Sequence, residues 1–201
     1  MTSIDNTDIT AVILAGGMGR RMGGMDKGQI QINNRPIVQH VLDAIRPQVG
    51  QVIINANRHQ DEYEKMGCPV VSDELTGYQG PLAGFSAAMH AAHTPYIVTL
   101  PCDGPFVAPD LVQRLAAALV AENAEIAVAH DGERMQPVYA LIRTGLNDSL
   151  DRFLQSKQRK IDKWYAEHKV ALADFSDLGD MFRNINTPED HRAIVGEDLS
   201  A

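Results

Sequence analysis

Leu14-Ala15-Gly16-Gly17-Met18-Gly19-Arg20-Arg21-Met22-Gly23-Gly24-Met25-Asp26-Lys27 continues directly from an apolar, partly β-branched run, Ala11-Val12-Ile13. The pattern predicts a strand that delivers a loop. Gly16, Gly17 and Gly19 carry no Cβ, so the backbone there can turn its N–H groups toward a ligand. Arg20, Arg21 and Lys27 add positive charge suited to phosphate oxygens. The loop reads as a polyphosphate cradle, with a flexible glycine turn and solvated arginines as the plain alternative.

Two common phosphate loops do not fit. The dinucleotide pattern G-x-G-x-x-G begun at Gly17 meets Met22 where its last glycine belongs. The Walker A pattern begun at Gly19 reaches Gly24, then meets Met25 and Asp26 before Lys27. Hydride transfer from a dinucleotide and P-loop NTPase chemistry are both disfavoured.

Outward from the loop, apolar strands alternate with segments of helical period. Strands are expected at Gln29–Ile32, Val52–Ile54, Val70–Val71, Tyr96–Leu100, Ile126–Ala129, Val138–Ile142 and Val170–Phe175. Helices are expected behind Pro36, over Asp61–Met66, from Pro81, over Pro109–Glu122, within 144–168, and after an N-cap at Thr187. Such alternation predicts an α/β fold with a mostly parallel central sheet covered by helices on both faces. Ligands of such sheets sit outside the carboxyl ends of the strands. That rule gathers Gly16 to Lys27, Asn55, Asp73 and Asp103 on one edge.

The 201 residues suit one domain, with an ordered core over about 10–195 and flexible ends. A formal charge of −8 argues against nucleic acid or an anionic membrane as a partner. Yet Arg20, Arg21, Lys27 and Arg35 face Asp26 alone between residues 18 and 35, so a basic site hides in an acidic chain. The two cysteines, Cys68 and Cys102, form no C-x-x-C and no disulfide framework. With no signal-like start and no long apolar run, the expected location is the cytoplasm.

Leu100-Pro101-Cys102-Asp103-Gly104-Pro105-Phe106 is the second chemical signal. A lone carboxylate at a strand tip, facing a polyphosphate, suits Mg²⁺, which takes one or two carboxylates plus phosphate oxygens. The competing reading makes Asp103 a helix cap, a task for which Asp110 is as well placed. Asp73 is a candidate second metal ligand or a contact to ribose. Gly80-Pro81-Leu82-Ala83-Gly84 opens a helix at the same edge, where free N–H groups can hold a phosphate or a base edge, or where Gly84 simply allows close packing. Asn184 and Asn186, before the last helix, can hydrogen-bond an acceptor or merely shape a turn. Lys157, Arg159, Lys160 and Lys163 against Asp162 read as a solvated face. The seven histidines show no metal-ligand spacing, and Cys102 reads as small buried filler.

Taken together, Leu14 to Gly23, Asp26-Lys27, Asn55 to His59, Gly80 to Gly84, Cys102 to Phe106, His130 to Arg134 and Asn184 to Pro188 resemble the molybdenum cofactor guanylyltransferase (MobA) family. The resemblance runs from about residue 10 to 195. It implies a Rossmann-like three-layer nucleotidyltransferase fold that joins GMP from GTP to molybdopterin with Mg²⁺. It also implies dealings with cofactor-insertion and molybdoenzyme proteins. By matching position, Leu14, Ala15 and Gly16 contact the nucleotide, Lys27 its phosphates, and Asn55 and Asp73 also bind GTP. Asp103 ligates the metal, while Arg21, Asn184 and Asn186 match active-site positions. Relatives that use CTP tend to carry a second alanine at the place of Gly16 and to lack the Gly80 to Gly84 wording, so the resemblance favours guanine. A cytidylyl- or sugar-phosphate nucleotidyltransferase is the runner-up, and a nucleotide- or pterin-binding chaperone without turnover the competitor from another class.

Overall fold

The computed structural model describes residues 3–17, 26–74 and 80–195. Seven strands form the main sheet: β1 (Ile9–Leu14), β4 (Gln51–Asn55), β5 (Val70–Val71), β6 (Tyr96–Pro101), β7 (Ile126–His130), β8 (Met135–Arg143) and β9 (Val170–Asp174). Their order is β5-β4-β1-β6-β8-β7-β9. Only β8 runs antiparallel to its neighbours. β2 (Gln31–Ile32) and β3 (Arg35–Pro36) make a separate small hairpin.

The order reverses at β1. The next main-sheet strands, β4 and β5, build to one side of it, whereas β6 lies on the other. Chain connections leaving a strand in opposite directions open a crevice at its carboxyl end. The register aligns the tips there, with Leu14 opposite both Asn55 and Pro101.

Side chains of β1 alternate between two cores, as its period of two requires. Ile9, Ala11 and Ile13 join one cluster with α1 (Ile37–Ile45) and α4 (Leu111–Ala121). Val12 joins the other with α3 (Pro81–Ala91), α5 (Asn147–Gln155) and Trp164 of α6 (Ile161–Tyr165). A short α2 (Gln60–Glu64) and α7 (Pro188–Ile194) complete the α-helices of the described residues. The expected three-layer α/β architecture is therefore observed. Among the described residues no helix is long and apolar enough to cross a membrane.

Element boundaries moved where local bonds competed. The expected strand at Gln29–Ile32 shrinks to β2, because Lys27–Gln29 closes into a 3₁₀ turn. Asn33 and Asn34 both take the left-handed conformation of a two-residue hairpin turn. Pro36 then pairs with Gln31 in extended backbone, so the helix starts one residue later, at Ile37. The helix expected from Pro109 starts at Leu111; Asp110 stands at its N-cap, but its carboxylate goes to Arg114 Nε at 2.7 Å instead of to a helix amide. Thr187 does cap α7, in a reciprocal capping box with Asp190.

The first turn of α3 lies hard against the tips of β1 and β4. A Cβ placed on Gly84 would stand 2.9 Å from Leu14 Cδ2 and closer still to the Asn55 amide oxygen, so glycine is what permits this approach. Gly84→Ala is accordingly expected to lower stability by about 1–3 kcal/mol, the usual cost of overpacking, measured by urea unfolding. A wild-type midpoint would contradict that packing.

Candidate functional site

β1, β4 and β6 hand their chain to the same edge, and backbone bonds lock the exits together. Ala15 N donates to Asn55 O at 2.8 Å, and Cys102 N donates to Leu14 O at 3.2 Å. The segment Ala15–Gly17 thus leaves between the loops that carry Asn55 and Asp103. Ala15 is buried, while Gly17 is open, with nothing near its missing Cβ. Leu14 is half-buried against the second core. Arg21, together with Arg20 and Gly19, lies outside the described residues.

Lys27 returns to this edge from Asp26. The Asp26 carboxylate accepts from Gly28 N at 3.2 Å and from the Tyr63 hydroxyl at 2.6 Å, which pins the 3₁₀ turn against the core. A side chain at position 28 would collide with that hydroxyl. From this base Lys27 Nζ reaches Asp103 Oδ2 at 2.8 Å and Asn186 Oδ1 at 2.5 Å. The ion pair is mostly sheltered, with side-chain exposures of 20% and 13%. The loops of Asp103 and Asn186 are also joined by Ile185 N donating to Asp103 O at 2.9 Å. Asp190, through its bonds to the Asn186 and Thr187 amides, holds the second loop in place. Asp103 caps no helix; its carboxylate faces a cation.

A second polar cluster stands at the tips of β4 and β5. Asn55 Nδ2 donates to Asp73 Oδ1 at 3.0 Å, and Asn57 Nδ2 donates to Asp73 Oδ2 at 2.8 Å. Asp73 N closes the ring on Asn57 Oδ1 at 2.9 Å. Both carboxylate oxygens are therefore oriented, leaving an acceptor array suited to N–H or O–H donors of a ligand. A Cβ on Gly16 would lie 3.0 Å from Asn57 Nδ2, so position 16 abuts this cluster directly. Arg58 Nη2 donates to Gly17 O at 3.0 Å and ties the loop after β4 to the glycine loop.

The helix α3 begins at the same edge. Gly80 holds a left-handed φ of 78°, and Pro81 occupies the first helical turn. Leu82 is fully buried, so its side chain serves the core and only its backbone is left for a ligand. Gly80 also approaches the basic stretch, its Cβ position lying 3.9 Å from Arg159 O. Arg159 itself donates to the carbonyls of Leu154 and Gln158, closing the end of α5. Its stretch is thus part of a built corner as well as a charged surface.

Asn184 Oδ1 lies 2.8 Å from the Cβ position of Gly104, beside Asp103, so every expected site residue within the described part lies at, or abuts, one edge. Asn57, Arg58 and Tyr63 were not singled out in the sequence, and Asp26 only as the neighbour of Lys27. Asn57 and Arg58 stand inside the quoted Asn55 to His59 stretch, two and three residues beyond the strand tip. Tyr63 carries no comparable signal. Cys102 is buried, and burial, then the charge of Asp103, pushes its thiol pKa up, so it stays protonated filler. Among the described residues no group of three or more His, Cys, Asp or Glu could by itself hold a metal ion.

The chain resembles known proteins in sequence and in fold. Residues 11–171 match the model of the MobA-like NTP transferase domain. The molybdenum cofactor guanylyltransferase of Shewanella loihica is 52% identical over 186 residues, covering 92% of this chain and 95% of its own. That of Shewanella halifaxensis is 50% identical, covering 92% and 93%. Among solved structures, molybdopterin-guanine dinucleotide biosynthesis protein A from Archaeoglobus fulgidus superposes with a TM-score of 0.76 at 24% identity, covering 92% of this chain and 96% of its own. That likeness speaks for the fold; the sequence relatives speak for the family. A nucleotidyltransferase edge on this fold, and half-identical relatives along nearly the whole chain, lead to one assignment: the chain belongs to the molybdenum cofactor guanylyltransferase family of MobA-like nucleotidyltransferases.

Proposed function

We propose that this chain transfers GMP from GTP to the terminal phosphate of molybdopterin, releasing pyrophosphate and forming the guanine dinucleotide form of the cofactor. The observation that carries the reading is the junction of Lys27, Asp103 and Asn186 beside the glycine loop. A phosphate monoester is largely dianionic at neutral pH, its second pKa being about 6, so the acceptor needs no general base. Its oxygen attacks the α-phosphorus of GTP, a new P–O bond forms, and the bond to the β-phosphate oxygen breaks. The electron pair leaves with pyrophosphate. What remains for the protein is positioning and charge neutralisation.

Lys27, with Arg21, neutralises the triphosphate in this scheme. Ala15, Gly16 and Gly17 offer backbone close to it. Asn55 and Asp73 bind the nucleoside, with Asp73 accepting from its donors. Asn184 and Asn186 serve the acceptor side, together with the backbone of Gly80, Pro81 and Leu82. Asp103 is the residue that would hold Mg²⁺. A single mostly sheltered carboxylate fits that ion, whose remaining positions go to phosphate oxygens and water. When bound, Mg²⁺ would neutralise charge developing on the phosphates. The structure's ion pair is then the resting arrangement, in which Lys27 occupies the carboxylate that would hold Mg²⁺. Cys68 and Cys102 are both free thiols, which suits a reducing compartment such as the cytoplasm. From there the product would pass to cofactor-insertion and molybdoenzyme proteins.

Asp103→Ala and Lys27→Ala are each expected to lose 10²–10³ in turnover, about 3 kcal/mol, while remaining folded by circular dichroism. Pyrophosphate release with molybdopterin is the assay, and near-wild-type turnover by both variants at saturating Mg²⁺ would refute the assignment. In the same assay GTP should outcompete CTP and UTP. A preference for either pyrimidine nucleotide would point to the cytidylyl- or sugar-phosphate alternative. Pterin binding with no pyrophosphate release from any nucleotide would point to a chaperone.

A further inference from the structure

The chain leaves β4 through Asn55-Ala56-Asn57-Arg58-His59, and this short connection is held at nearly every step. Ala56 N donates to Val71 O at 2.9 Å, and Gln60 Nε2 donates back to Ala56 O at 3.0 Å. Asn57 is locked to Asp73 in both directions, at 2.8 and 2.9 Å. His59 takes a left-handed φ of 52° and turns the chain into α2, whose Tyr63 is anchored on Asp26. Arg58 therefore stands on a fixed base. Its far end is fixed as well: Nη2 donates to Gly17 O at 3.0 Å, on the glycine loop. Arg58 is exposed, and ordering a long exposed side chain costs rotamer entropy that one bond to a backbone carbonyl barely offsets.

Charge indicates what this guanidinium serves. Lys27 stands at the edge with Asp26, Asp73 and Asp103, a single cation among three carboxylates, and it is already paired with Asp103. A site so composed repels a polyphosphate unless further cations join it. Arg58 is one. Arg21, outside the described residues, is the one the proposed function already gives to the phosphates. Gly17 is open, with nothing near its missing Cβ, so a ligand can approach the loop at the very residue whose carbonyl Arg58 holds. A guanidinium spreads five N–H donors over one plane, so one edge of the fork can meet a carbonyl while another meets phosphate oxygens. Lysine offers a point charge without that division.

We propose that Arg58 is a phosphate-binding residue of the nucleotide site: its guanidinium, seated on the Gly17 carbonyl, donates to the polyphosphate of the nucleotide. It serves the loop from the β4 side, while Lys27, beside Asp103, serves it from the β6 side. This rests on the reading that the triphosphate lies along Ala15 to Gly17.

The test measures the affinities of GTP and of guanosine for the full-length wild type, Arg58→Ala, Arg58→Lys and Lys27→Ala, by displacement of a fluorescent GTP analogue. Arg58→Ala is expected to weaken GTP about tenfold, the low end for loss of a hydrogen bond to a charged group, and to leave guanosine unchanged. Arg58→Lys, which keeps the charge and loses the fork, should fall between wild type and Arg58→Ala. A purely structural brace would weaken GTP and guanosine alike, and that result overturns the inference. Unchanged GTP affinity in Arg58→Ala, with affinity lost in Lys27→Ala, also overturns it while sparing the phosphate site. Unchanged GTP affinity in both variants removes the phosphate reading and the inference together. Should Arg58→Ala fail to fold, Arg58→Lys decides alone: a wild-type ratio of GTP to guanosine affinity in that variant overturns the inference.

Discussion

The ammonium of Lys27 lies 2.8 Å from the Asp103 carboxylate and also meets the Asn186 amide, so three segments far apart in sequence converge on one cation. Each partner is fixed by something behind it. Asp26, held by Tyr63, sets the base of Lys27. The tip of β6 and the bond from Ile185 N set Asp103. The capping box of α7 sets Asn186. The charged pair is mostly sheltered, so screening by bulk water is weakened and each group is held against a ligand that could replace the other. A cation and an anion that can exchange partners are what the proposed metal–triphosphate would require.

The sheet explains why these groups meet. With β4 and β6 flanking β1 in parallel, three carboxyl ends open on one edge. Two cores of opposite orientation bury β1 on both faces, which leaves its tip little freedom. The cluster of Asn55, Asn57 and Asp73 occupies one side of that tip and the ion pair the other. Gly16 and Gly84 let backbone approach where any side chain would push Asn57 or Asn55 out of place.

Much of this was legible beforehand because it rests on local signals. Continuous apolar strands marked the parallel sheet, the glycines marked the loop, and the strand-tip rule collected Asn55, Asp73 and Asp103. What escaped the sequence depends on tertiary contact. Tyr63 and Tyr139 look like ordinary core aromatics until the fold sets their hydroxyls beside Asp26 and Gly104. Asn57 carries no signal of its own until Asp73, two residues past β5, closes on it. Asp110 shows the converse failure: a sound capping signal loses to an arginine four residues on, whose guanidinium takes the carboxylate. Propensity describes one segment at a time, and these side chains choose partners from others.

The most direct measurement is a crystal structure of the chain grown with GTP and Mn²⁺, the metal placed by its anomalous signal. The account predicts metal density on Asp103, Lys27 Nζ moved onto a phosphate oxygen, and the triphosphate lying along Ala15 to Gly17. A nucleotide bound elsewhere, with the 2.8 Å contact between Lys27 and Asp103 intact, would contradict it.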